Sequence, residues 1–288
     1  MGGSLAAGPA AAQLVLDGEE QLPFDAPESW AMKYFASVAL PSGLGSPEPL
    51  PAGRVELVLE GANVPRLSEE ERRVGFDGTK VEDLNRSEVF GRPRVVVGLG
   101  ARWSLEASYL PPLELSGVEP EIFSLAAGRP VWERGRARLG LRVAGQYGTF
   151  EGDFTCSADE IASGSNPFDC EAPSTDTSTA RSLSVEISGA RRLGRAEGWE
   201  AYGALIATHM NLDFEVDARW SGFVDHTRLH TDGETVALAA GVGYRLAERW
   251  RGGLEVFWTR LDVVRPPATS TEHDDLVNLR AALRYRLR

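Results

Sequence analysis

The sequence predicts an all-β fold, an antiparallel transmembrane β-barrel of about 10–12 strands, and three observations carry that prediction. The first is the stretch 275–288. Val277, Leu279, Ala281, Leu283, Tyr285 and Leu287 fall on one face, and Asn278, Arg280, Ala282, Arg284, Arg286 and Arg288 on the other. A strand sends alternate side chains to opposite faces, whereas a helix would scatter the arginines among the leucines. The pattern holds for about twelve residues, long enough for a tilted strand to cross a bilayer. The second observation is its recurrence in 136–149 and 235–246. The third is an alternation of connections. Short ones lie near Arg102, Arg134, Arg195 and Arg249, and long ones at 63–92, 151–180, 215–233 and 265–274. Short turns at one end and long loops at the other are the pattern of a transmembrane barrel.

Composition narrows the class. No segment approaches the roughly 18 consecutive apolar residues of a membrane helix. The net charge of −12 and the lack of a basic arm argue against nucleic acid as a partner. Lysine occurs only at Lys33 and Lys80, so arginine supplies nearly all the positive charge.

Taken in order, 1–12 reads as a leader. Ala10-Ala11-Ala12 before Gln13 resembles a signal-peptidase site and is expected to be the tail of a signal peptide. A flexible Ala/Gly leader is the alternative. The acidic segment 13–29 contains Pro23 and Pro27 and reads as an extended or periplasmic segment. The barrel domain is expected over 30–288.

Its first strand is placed at Trp30–Leu40, with Met32, Tyr34, Ala36, Val38 and Leu40 on one face. After the Gly/Pro loop 41–53 comes a strand over Val55–Gly61. In 63–93, Ser68 and Glu71 form a capping-box pair, predicting a short helix over Glu69–Val74. A hairpin follows over Arg94–Gly100 and Trp103–Leu110, then a weaker strand at Ile122–Arg129 and a turn containing Trp132.

Arg136–Phe150 and Arg181–Ala190 are the next strands. Trp199–Val216 changes hydrophobic phase, which predicts a bulge near His209–Asn211. Phe223–His230 reads as an extramembrane strand ahead of the Asp232-Gly233 turn. Thr235–Leu246, Gly253–Val263 and Val277–Leu287 complete the sheet. Counting from Val55 gives about ten strands, and Trp30–Leu40 would make an odd number that bacterial barrels avoid.

Trp103, Trp132, Trp199 and Trp250 each sit beside a short turn, where barrels place interfacial aromatics. From Trp30 to Arg288 the chain resembles the outer-membrane β-barrel proteins of double-membraned bacteria. That resemblance implies an outer-membrane location, outer-membrane lipid around the wall, and the barrel-assembly machinery as a partner. Members of the class usually end in an aromatic residue, which that machinery reads. This chain ends Tyr285-Arg286-Leu287-Arg288, without one.

The lumen face is expected to carry Arg136, Arg138, Arg142, Arg245, Arg280, Arg284 and Arg286 against Glu56, Glu60, Glu106, Glu186 and Glu255. Lining a wet channel, these charges would select anions. Paired into a ladder, they would fill a narrow barrel. Cys156 and Cys170 lie in a polar loop without histidine, which predicts a disulfide in an oxidising compartment and not a metal site.

His226 and His230, beside Asp225 and Asp232, share only a face and are read as no metal site. His209, Asp213, Ser221 and Asp225 supply hydrolase residue types in no recognised spacing. No CxxC, HExxH, GxSxG or phosphate loop occurs, and no cofactor is expected. The expected function is a channel or passive conduit for small, possibly anionic solutes, and not an enzyme. The alternatives are a closed structural or adhesion barrel displaying disulfide-bearing loops, and a rim-sited hydrolase.

Overall fold

The computed structural model describes residues 14–114, 117–164, 166–194 and 198–287. The leader 1–12, the turn at Arg195 and the terminal Arg288 lie outside the described residues.

Ten antiparallel strands form the wall: β1 Val55–Asn63, β2 Val89–Gly100, β3 Trp103–Leu110, β4 Val118–Arg134, β5 Ala137–Gly152, β6 Asp176–Arg192, β7 Trp199–Glu215, β8 Arg228–Arg245, β9 Trp250–Thr259 and β10 Leu276–Arg286. Each pairs with its neighbour in sequence, and β10 pairs back onto β1 with Leu283 opposite Leu59. The ring is therefore closed and has no free edge. Outward positions are apolar through the middle of each strand: Leu183, Val185 and Ile187 on β6, Leu254 and Val256 on β9, Leu279 and Leu283 on β10 are all exposed.

Strands β4 to β8 run past this band at the long-loop end. On β7 the outward series passes from Leu205 and Ala207 to His209, Asn211 and Asp213. The predicted bulge is therefore absent: β6 and β8 both hold unbroken register along β7. What changes is the interior. Met210 and Leu212 turn inward onto an apolar core, while their outward neighbours have already left the apolar band. A register shift occurs instead on β4, between Pro130 and Trp132, where proline cannot donate to the ladder.

The expected first strand is a helix, α1, spanning Pro27–Val38. Proline stands at its start and Glu28 in its first turn, both favourable there. Trp30, Tyr34, Phe35 and Val38 pack into one apolar cluster, and Met32, Ala36 and Leu40 into another on the opposite side. Even its polar stripe, Ser29, Lys33 and Ser37, is buried, so the barrel encloses the helix on every side. The two i, i+4 series 30, 34, 38 and 32, 36, 40 together occupy every second position, which is also the pattern of a strand.

The N-terminal segment is extended over Leu14–Leu16 and Glu19–Gln21. Leu14–Leu16 pairs with Phe223–Asp225, and Glu19–Gln21 pairs in parallel with Arg228–His230, both at the long-loop rim. From there α1 enters the lumen. The chain leaves at the opposite end, where Gly53 donates to the Gly98 carbonyl and Gly98 to that of Arg54.

The segment 64–88 caps the outer end and does not plug it. Val74 and Leu84 pack against the helix cluster. Its capping-box bonds form, Ser68 N to Glu71 at 2.6 Å and Glu71 N to Ser68 Oγ at 3.2 Å. They close a turn leading into a short strand at Arg73–Gly75, not the expected helix.

Candidate functional site

Below α1, residues 39–50 descend through the lumen in an irregular conformation, and the wall arginines converge on their backbone. Arg92 donates to the carbonyl of Ala39 at 2.9 Å, Arg280 to Leu40 at 2.8 Å, and Arg142 to Pro41 at 3.2 Å. Arg94 donates to Ser42 at 2.7 Å, Arg284 to Gly43 at 2.7 Å and Leu44 at 3.0 Å, and Arg138 to Ser46 at 3.3 Å. The first of these carbonyls, those of Ala39 and Leu40, lie just past the carbonyl end of α1, where the helix dipole favours cations. A hydrogen bond to a charged group contributes about 1.5–3 kcal/mol.

Wall carboxylates aim the guanidinium groups. Glu60 accepts from Arg92 Nε at 2.8 Å and from Arg94 Nε at 2.8 Å. Glu106 accepts from Arg94 at 3.0 Å and Arg142 at 2.8 Å. Glu186 holds Arg142 at 3.2 Å and also accepts the backbone N–H of Gly43 at 2.9 Å. Glu255 accepts the Ser42 hydroxyl at 2.6 Å. Each arginine thus bridges a fixed carboxylate to a carbonyl of the threaded chain. A buried charge held in this way is compensated, whereas an unpaired one would be costly.

The wall makes room for the thread with small residues. A Cβ on Gly140 would lie 2.4 Å from Pro47 Cδ. Below Pro47 the lumen opens into a cavity of about 350 Å³ at the short-turn end, lined by Glu48, Arg138, Glu200 and Arg251 among others.

Of the residues predicted to line the lumen, Glu56, Glu60, Arg138, Arg142, Glu186, Glu255 and Arg280 are buried inside it, and Glu106 and Arg284 are nearly so. Arg136, Arg245 and Arg286 stand at the inner mouth, where Arg136 and Arg245 are exposed. The sequence reading missed Arg92 and Arg94 as a pair, because Gly91 and Pro93 interrupt the apolar alternation that would have begun β2 at Val89. It also missed Ser42, Glu48, Glu200 and Arg251.

Trp103, Trp132, Trp199 and Trp250 are exposed on the outer wall near the short turns. Trp199 packs on Tyr244 and Trp250 on Tyr285, both with ring centroids 4.6 Å apart. Cys156 and Cys170 form a disulfide.

The hydrolase residue types do not assemble. His230 Nδ1 lies 2.5 Å from Asp213 Oδ1 on the outward side of the wall. Ser221 instead donates to Phe168, Asp225 accepts from Trp220 and Thr227, and His209 is exposed on the outward face of β7. His226 pairs with Asp217 at 3.5 Å.

No protein-family model matches the chain, and no curated protein matches it. Among solved structures it is similar to the translocator domain of autotransporter NalP from Neisseria meningitidis, at 11% identity and a TM-score of 0.48, covering 91% of this chain and 99% of that one. It is also similar to the outer membrane protease OmpT from Escherichia coli, at 12% identity and a TM-score of 0.40, covering 82% and 94%. A third is Ail, the attachment invasion locus protein of Yersinia pestis, at 11% identity and a TM-score of 0.32, covering 82% and 99%. With its closed ring of ten antiparallel strands, apolar outer band and aromatic girdle, the chain has the fold of a transmembrane β-barrel.

Proposed function

We propose that this protein is a closed surface barrel. On this reading it carries its own N-terminal segment through the lumen and holds it, together with the long loops, on the outer face of the cell. The supporting observation is the run of carbonyls from Ala39 to Ser46, each except that of Gly45 held by a wall arginine. A chain delivered from the periplasm reaches the outer rim at Leu14 only by passing residues 14–38 across the membrane. The contacts are to backbone, which every residue offers, so they suit retention of a threaded segment whatever its side chains.

An arginine-lined conduit for anions gains less support. Such a channel needs its arginines facing solvent, and here those of the mid-lumen are buried against the thread and beside Glu60, Glu106 and Glu186. The surrounding outer-membrane lipid and the barrel-assembly machinery are the partners this reading implies.

Planar-bilayer recording of the refolded chain tests it, alongside a variant lacking residues 14–50. The full chain is expected to stay silent and the deletion variant to open in steps. On intact cells, a Val15→Cys variant is expected to react with a membrane-impermeant maleimide. Equal conductance in both proteins, or an unreactive Cys at 15, would sink the proposal.

A further inference from the structure

We infer that the inner mouth of the barrel is a binding site for a phosphate-bearing anion. The cavity there, about 350 Å³, is lined by eight arginines (Arg136, Arg138, Arg142, Arg192, Arg245, Arg251, Arg284 and Arg286) and four glutamates (Glu48, Glu56, Glu106 and Glu200). This excess of cations stands in a chain whose net charge is −12, so composition does not account for it.

The glutamates are already committed. Glu48 and Glu200 hold Arg138, Glu48 also takes Arg251, and Glu106 takes Arg142. Glu56 holds Arg284 at 3.1 Å, and Arg286 stands 3.6 Å from Glu56 and 3.8 Å from Glu48. Arg136, Arg192 and Arg245 are left with no carboxylate partner among the described residues. Arg136 stands in the turn before β5, and Arg192 and Arg245 end β6 and β8, so three separate parts of the wall bring them to one opening.

Arg142, deeper in, is 5% exposed and Arg286, at the mouth, is half-buried, and the Nε of each is buried without a hydrogen-bond partner. Guanidinium forks match the oxygens of a phosphate in two-point contact, and a cavity walled by protein focuses the field of its charges. The cavity is of the size that holds a small ligand. It lies below the thread, so the site needs neither an open lumen nor the surface display proposed above.

The test is calorimetric titration of the full chain, in a neutral detergent, with inorganic pyrophosphate. Saturable binding at one site is expected, weakening as salt is raised. The triple variant Arg136→Gln, Arg192→Gln, Arg245→Gln is expected to lose at least about tenfold in affinity, since each lost charge-assisted bond alone accounts for that much. Its three side chains lie at the exposed rim, and retained heat-dependent gel migration would show that it folds.

Glu200→Gln removes a carboxylate from the cavity and is expected to tighten binding. Reconstitution separates the two sources of phosphate. Loss of pyrophosphate binding in phosphatidylglycerol vesicles, with retention in phosphatidylcholine, assigns the site to a lipid headgroup. Retention in both assigns it to a free phosphate ester. An absence of saturable binding, or undiminished affinity in the triple variant, overturns the inference.

Discussion

Arg280, on the last strand, donates Nη1 to the backbone carbonyl of Leu40 across 2.8 Å. With the bonds of Arg284 to Gly43 and Leu44, it joins the strand that closes the ring to the chain that fills it. The guanidinium carbon also lies 3.6 Å from the centroid of the Phe257 ring, and Nη1 lies 3.9 Å from Glu60. Arg280→Ala removes all three contacts, yet Arg92 and Arg94 still hold Glu60. The expected loss is about 3 kcal/mol, the low end for breaking a buried ion pair. It is read as a lower urea midpoint for loss of the folded, heat-modifiable gel band. Arg280→Lys keeps the charge without the planar fork and is expected to fall between the two.

The thread is sensitive at Gly43. A Cβ there would lie 2.7 Å from Glu186 Oε1 and 2.8 Å from the carbonyl oxygen of Gly45. Overpacking of this kind costs about 1–3 kcal/mol. Because the strain falls on the thread and not on the wall ladder, Gly43→Ala is expected to leave the barrel folded while loosening its filling. Single-channel recording should then show brief openings absent from the parent chain. Gly18→Ala, whose Cβ would meet nothing within 4 Å, is the silent control.

The wall was legible in the sequence because a two-residue period is imposed by lipid on one side and charge on the other. Arg142, Arg280 and Glu186 could be assigned to the lumen from that period alone. The thread could not, for a physical reason. Its contribution is made by backbone carbonyls from Ala39 to Ser46, which leave no mark on side-chain pattern. Helix α1 was obscured differently: its apolar Trp30, Met32, Tyr34 and Ala36 and its polar Ser29, Lys33 and Ser37 fall on even and odd positions respectively, so the sequence alternates like a strand. On β7 the inward step to Met210 and Leu212 looked like a bulge because the apolar surface moves from the outside of the wall to the inside.

The disulfide between Cys156 and Cys170 closes a loop across a sequence separation of 14. Both cysteines are buried in a small cluster with Ala218. The loop carries a short helix, α2 Ala158–Ser163, whose first turn is capped by Ser157 Oγ accepting from Glu160 N at 3.1 Å. Replacing both cysteines by serine is expected to cost about 3 kcal/mol in the chain-entropy account. That cost is confined to the outer loop, since no wall strand depends on it. Limited proteolysis should cut within 153–175 much faster, while the barrel keeps its heat-dependent migration.

The cap over the outer end is expected to respond to pH through Glu82. This side chain is buried beside Lys80, whose Nζ lies 2.5 Å from Glu82 Oε2 and 3.7 Å from Glu160. Burial, the largest influence, raises the Glu82 pKa from 4.5 to about 7 against the opposing attraction of Lys80, with Asp176 and Glu160 adding to the rise. The packed cap therefore binds a proton that the loosened cap, with its ordinary carboxyl, releases near 4.5. A folded pKa above the unfolded one means stability that is complete below about 4.5 and is lost as pH rises through about 7. Amide-exchange protection over residues 72–84 should consequently fall between pH 5 and 8, an interval of about three units around the raised pKa. Glu82→Gln keeps a neutral, hydrogen-bonding side chain and is expected to flatten the profile at its acid-side level. Protection that instead rises with pH would mean that attraction to Lys80 outweighs burial, and the charged pair would then be what holds the cap closed.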